Sequence, residues 1–206
     1  MKITDIVAYP VEVGIRNQLL VKVETDEGIS GWGESGLTGR ELAVVGALRH
    51  YREFLIGRDP FRIGALWQEV YRSQYFEGGR VLTTALAAID IALHDIKGKA
   101  LGVPVYDLPG GRQRDRVRCS APHWFFGAQT PEQYFAKAQA AVAMGYKALK
   151  WDPFEATYLE MDRPQRHRTL AIVEAVRDAV GPDIDLMLDV HGRLNVPTAI
   201  EMARAL

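Results

Sequence analysis

The segment Asp189-Val190-His191-Gly192-Arg193 closes an apolar run that begins at Ile184, so three polar side chains fall where a strand should end. Strand alternation puts Asp189, His191 and Arg193 on one side. A carboxylate there suits a hard cation such as Mg²⁺, and an imidazole beside it can exchange protons near neutral pH. The plainer alternative is that Asp189 caps a loop and His191 is a satisfied polar residue. Lys150 ends the preceding strand and is followed by Trp151 and Asp152. An ammonium in that place can hold a substrate carboxylate or stabilise a developing enolate; otherwise it is a rim lysine reaching for water.

Other segments carry weaker chemical signals. Tyr75-Phe76-Glu77-Gly78-Gly79-Arg80 reads as a polar and aromatic loop of the kind that serves as a lid. Arg16-Asn17 could reach a ligand, although an exposed turn is the ordinary expectation. His123-Trp124-Phe125-Phe126 reads as packing ahead of pocket lining. Asp90, His94 and Asp95 are expected in structural hydrogen bonds or at the surface, and His50 and His167 at the surface. No GxGxxG or GxxxxGK[ST] pattern occurs, so no nucleotide fingerprint is present.

These groups need elements to position them. Lys2 to Val13 and Leu19 to Glu24 read as strands, the second with Leu19, Val21 and Val23 on one face, and a hairpin through Thr25-Asp26-Glu27-Gly28 leads to Ile29–Glu34. From Arg40 the period turns helical, with two helices and then a longer one through Val81 to Ile96 that stops near Gly98 or Gly102. Past Gly110-Gly111 the order becomes strand, helix, strand, helix. Val117–Ala121 reads as a short strand, and Thr130-Pro131-Glu132-Gln133 as a capping box opening a helix to Gly145. Lys147–Trp151 is a strand, about His167 to Val180 a helix, Ile184–Val190 a strand, and Pro197 opens another helix. Such units make parallel βαβ structure with function at the carboxyl ends of the strands. The expected division is residues 1–115, an α+β domain, and residues 116–206, the first three strands of a (β/α) barrel. About 90 residues follow Arg116, whereas a whole barrel takes about 250. The chain is therefore expected either to be part of a longer protein or to pack its βα units in another way.

With 206 residues, 48% hydrophobic and 25% charged, the composition is that of a folded globular chain. A formal charge of −1 offers no basic excess for nucleic acid or anionic lipid, so neither is an expected partner. The lone Cys119 cannot form an internal disulfide and is expected to pack as a small apolar side chain in a cytoplasmic protein. No apolar run reaches the length of a membrane span.

Gly31-Trp32-Gly33-Glu34, the segment Ala87-Ala88-Ile89-Asp90-Ile91-Ala92-Leu93-His94-Asp95-Ile96-Lys97-Gly98-Lys99, Gly145-Tyr146-Lys147-Ala148-Leu149-Lys150 and Asp189 to Arg193 together resemble the mandelate racemase and muconate lactonizing branch of the enolase superfamily. More narrowly, they resemble its sugar-acid dehydratases, those of galactonate or gluconate. The resemblance implies an α+β capping domain followed by the first part of a (β/α) barrel, with Mg²⁺ held by three carboxylates at successive strand ends. By position Asp189 matches the first metal ligand. His191 resembles the acid that helps the 3-hydroxyl leave, and Lys150 matches the first lysine of the family's Lys-x-Lys pattern. The second lysine is Asp152 here, which disfavours a racemase that uses it. Tyr75, Phe76 and Arg80 fall in the capping loop that selects substrate, and Arg16, Asn17, Asp152 and Arg193 are the further candidate substrate contacts.

The implied reaction is dehydration of a small-molecule sugar acid to a 2-keto-3-deoxy acid, with a homo-oligomer expected. The remaining metal ligands and a His-Asp base are implied on later strands, so residues 1–206 alone are expected to be inactive. The alternatives are an epimerase or cycloisomerase of the same superfamily, or a non-catalytic binding module if the chain truly ends at 206.

Overall fold

Alternation in the first strands is what builds the sheet. The computed structural model describes all residues except Ile15, Gln74 and Glu77, and its contacts divide the chain into two compact units, Met1–Asp115 and Arg116–Leu206. In the first, β1 (Ile3–Val13), β2 (Arg16–Thr25) and β3 (Ser30–Ser35) form an antiparallel sheet in that order. Leu19, Val21 and Val23 are buried on its inner face. Val21 pairs with Gly33 and Val23 with Gly31, so bulky residues of β2 lie beside bare backbone on β3.

That bare strip is where a helix lands. α1 (Glu41–Leu55) and α2 (Ile63–Tyr71) precede α3 (Gly79–Leu101), whose Ala85, Ala88 and Ala92 are buried. A Cβ on Gly31 would stand 2.0 Å from the Ala92 carbonyl oxygen, and one on Gly33 would stand 1.9 Å from that of Ala88. Both glycines are therefore required for space, because any side chain would meet helix backbone. Asp95 then seals the edge of β3, accepting from the Trp32 N–H at 2.9 Å while Lys99 reaches both Asp95 and the Ser30 carbonyl. α3 ends at Gly102, which takes the left-handed conformation (φ 68°) that closes a helix at little cost in glycine.

In the second unit α4 (Pro131–Ala143), β4 (Ala148–Trp151), α5 (Arg163–Val180), β5 (Asp185–Leu188) and α6 (Val196–Ala205) follow one another. β4 and β5 are parallel neighbours, with Lys150 beside Met187 and Trp151 beside Leu188. Leu149 and Trp151 are buried in a core with Tyr134, Ala138, Ile172 and Val176 from α4 and α5, and Trp124 joins it with its ring 5.4 Å from that of Trp151. Period two sends Lys150 to the opposite face.

Several expectations are corrected. Val117–Ala121 is not a strand: it pairs with β4 only through a bridge of Ala121 to Leu149, since Pro122 has no N–H to donate and His123 turns the chain with φ 48°. Cys119 is consequently exposed rather than packed, because no ladder brings it under cover. Arg16 and Asn17 are not a turn before the hairpin but the first residues of β2, opposite Val13 and Glu12. Gly79 and Arg80 belong to α3 rather than to a loop. α5 starts at Arg163, a turn before the expected His167, because Asp162 and Gln165 make a capping box with Pro164 in the first turn.

Candidate active site at the ends of β4 and β5

Two parallel strands end side by side and release charged residues on the same face. Lys150 lies in β4 and Asp152 just past it, while Asp189 follows β5. The Lys150 Nζ stands 2.7 Å from Asp189 Oδ2, so the two strand ends are tied by an ion pair. Trp124 Nε1 donates to the Lys150 carbonyl at 3.2 Å. The Lys150 ammonium, with the His191 N–H donating to Oδ1 at 3.1 Å, holds the Asp189 carboxyl below the usual carboxylate range.

His191 and Arg193 arrive by a different route from the expected alternation. β5 has ended at Leu188, and His191 has a positive φ of 52°, which among non-glycine residues is uncommon and favours His, Asn and Asp. The turn through His191 and Gly192 carries the chain back over the end of β4. There His191 Nδ1 lies 2.9 Å from Asp152 Oδ2 and 3.7 Å from Asp189 Oδ1. Arg193 pairs with Asp152 and donates to the Glu155 carbonyl. Lys150, Asp152, Asp189, His191 and Arg193 thus form one cluster with two fixed cations and two carboxylates facing a single imidazole.

Supporting residues around this cluster escaped sequence reasoning. Arg168 of α5 donates to Glu155 at 2.8 Å and to the Gln129 carbonyl at 2.9 Å, bracing the loop after β4. The Leu159 N–H donates to the Arg193 carbonyl at 2.7 Å, and Asn195 N–H to the Leu159 carbonyl at 2.8 Å, which clasps that loop to the turn after β5. The capping box at Asp162 was the available signal that this loop ends on a fixed helix.

The other candidate substrate contacts lie in the first unit. Tyr75, Phe76 and Arg80 are exposed, as are Arg16 and Asn17; Glu77 lies outside the described residues. Asp90 and Asp95 make structural contacts: His94 Nδ1 lies 2.9 Å from the Asp90 carbonyl. For a divalent cation, Asp189 is a hard oxygen donor suited to be one ligand. Among the described residues no three His, Cys, Asp or Glu side chains are grouped to hold a metal ion. Asp189 by itself would not make a complete Mg²⁺ site.

Residues 10–110 match the model of the mandelate racemase / muconate lactonizing enzyme N-terminal domain, and residues 133–206 match that of the enolase C-terminal domain-like family. The chain belongs to the mandelate racemase and muconate lactonizing family. Its first unit is the α+β capping domain of that fold, and its second is part of the (β/α) barrel. D-galactonate dehydratase of Variovorax paradoxus is 44% identical over 207 residues, a match covering all of this chain and 52% of that protein. D-gluconate dehydratase of Thermoproteus tenax is 41% identical, with 98% of this chain and 42% of that protein covered. The chain thus spans about half the length of the curated relatives it matches. The solved structure of a candidate dehydratase from Mesorhizobium loti superposes with a TM-score of 0.93 at 38% identity, covering all of this chain and 57% of that one. A member of the enolase superfamily from Salmonella Typhimurium gives 0.90 at 32% identity, covering 99% of this chain and 58% of its own.

Proposed function

We propose that this protein dehydrates a sugar acid to a 2-keto-3-deoxy acid, by removal of the proton next to the carboxylate and loss of the 3-hydroxyl as water. The observation that carries this reading is the meeting of Lys150, Asp189 and His191 at the carboxyl ends of two parallel strands. In it, His191 gives a proton to the departing hydroxyl. Lys150 and Arg193 attract the substrate carboxylate and the charge that develops as the proton leaves. Asp189 would be one ligand of Mg²⁺, which supplies Lewis-acid stabilisation of the enediolate oxygens. In the first unit, Tyr75, Phe76, Arg80, Arg16 and Asn17 are the proposed substrate-selecting residues. The relatives named above act on galactonate and gluconate, which makes such acids the first substrates to test.

Aspartate at 152 weighs against a racemase that uses a second lysine as base, since it puts a carboxylate in that lysine's place. The test is to incubate the whole encoded protein with Mg²⁺ and a panel of sugar acids, measuring 2-keto-3-deoxy acid. Formation of that product supports the reading. Exchange of the α-proton with solvent without loss of water would establish the epimerase alternative instead.

A further inference from the structure

Asp152 uses both carboxylate oxygens inside the protein. Oδ1 accepts the Phe154 N–H at 2.9 Å, which fixes the rotation of the carboxylate. Oδ2 faces His191 Nδ1 at 2.9 Å and also takes the Arg193 guanidinium. With 19% of its side chain exposed against 58% for His191, Asp152 is the least exposed member of the cluster. An oxygen pair so committed is poorly placed to hold substrate, which departs from its expected role as a substrate contact.

We propose that Asp152 is a positioning residue for His191, holding Nδ1 as the protein-facing N–H and leaving Nε2 as the nitrogen that delivers the proton. A carboxylate only accepts, so the nitrogen facing it must carry the hydrogen. No other acceptor competes among the contacts described. Asp189 Oδ1 stands 3.7 Å from Nδ1, beyond hydrogen-bond reach, and already accepts the His191 backbone N–H, while Oδ2 is occupied by Lys150. The imidazole is thus gripped at its Nδ1 edge and by the turn geometry of its own backbone, and its Nε2 edge is left for chemistry. A lysine at 152 could not accept from Nδ1; an aspartate can.

This inference rests on the reading of His191 as the acid. In that step the C3–O bond breaks and its electron pair leaves with the oxygen. The enediolate pair forms the C2–C3 double bond, and the Nε2 proton converts the departing hydroxyl to water. His191 is left neutral with its remaining hydrogen on Nδ1, still donating to Asp152.

The experiment is long-range ¹H–¹⁵N NMR of the His191 ring in the whole protein, beside steady-state kinetics, for the native protein, Asp152→Ala and Asp152→Asn. Neutral His191 in the native protein is expected to carry its hydrogen on Nδ1. Asp152→Ala is expected to shift the ring toward the Nε2–H form and to lower kcat by about 100-fold with little change in KM, as for a misplaced catalytic group. Asp152→Asn keeps an acceptor oxygen and is expected to retain Nδ1–H and most of kcat; it also serves if Asp152→Ala does not fold. Nδ1–H retained in Asp152→Ala, or a loss confined to KM, would overturn the proposal. If no sugar acid is dehydrated at all, the reaction assignment fails, and the ring signature still decides whether Asp152 sets the tautomer.

Discussion

The two units hold their helices by different means. In Met1–Asp115, α1, α2 and α3 begin without any side-chain cap among the described residues. They are held by burial: α3 against the glycines of β3, with Leu48, Leu55, Leu66, Ile89 and Leu93 completing the core. In Arg116–Leu206, α4, α5 and α6 each begin with a side-chain cap, from Thr130, Asp162 and Asn195. The same unit holds the positive-φ non-glycine residues among those described, His123, Glu155, Leu159 and His191, all outside its helices and strands. Such conformations cost about 1 kcal/mol or more each. A unit that spends stability in its loops to aim side chains gains from helices that are fastened locally. Among its described residues the first unit carries no such burden, and it relies on close packing.

The sharpest separation of the two units comes from His191→Asn. The side chain is exposed and makes its polar contacts within the charged cluster, so the fold should persist while dehydration falls by about 10²- to 10⁴-fold. Kinetics together with circular dichroism check this; an equal loss of structure would show that the cluster is holding the fold and not serving chemistry. The counterpart in the first unit is Gly33→Ala, whose new Cβ meets the Ala88 carbonyl. Destabilisation of about 3 kcal/mol is expected, seen as a fall in Tm of roughly 10 °C. Ala88→Gly should not rescue it, because the obstacle is backbone; a rescue would mean that the helix can move off the sheet.

A smaller effect tests the capping contrast. Asp162→Ala and Thr130→Ala should each cost about 1 kcal/mol, measured by denaturant unfolding, through loss of the first-turn acceptors of α5 and α4. Changes at Arg40 or Arg62, which precede α1 and α2 without a cap bond, should cost less. The smallest effect concerns Asp5, whose carboxyl the Arg52 guanidinium holds below its ordinary range. A depressed carboxylate contributes stability above its unfolded pKa and loses it as pH falls through the folded value. Both side chains are 39% exposed, so solvent screens the pair. The native protein should exceed Asp5→Asn by no more than about 2 °C in Tm at pH 7, and the two should converge as pH falls through the depressed folded value of Asp5.

Much of the fold was legible because the deciding interactions are local. Thr130-Pro131-Glu132-Gln133 names a helix start by itself, and Leu19, Val21 and Val23 name the buried face of β2 by alternation. The stretch from Val117 to Ala121 falls where the order of strands and helices calls for a strand, yet pairing depends on a partner that its neighbours Pro122 and His123 prevent it from following. That dependence also exposes Cys119.

For the candidate site, residue types and order brought forward Lys150, Asp152, Asp189, His191 and Arg193, which the structure gathers into one cluster. Their partners were decided by tertiary structure. Alternation along β5 predicts three side chains on one side, whereas a left-handed turn at His191 and Gly192 folds the chain back so that His191 and Arg193 meet Asp152. Gly31 and Gly33 carried no packing signal in the sequence, and only the descent of α3 to within contact of their backbone explains them. Periodicity and capping act within a few residues and are written in the chain. Which backbone approaches which, and which carboxylate an imidazole finds, depends on atoms about 40 to 60 residues apart in sequence.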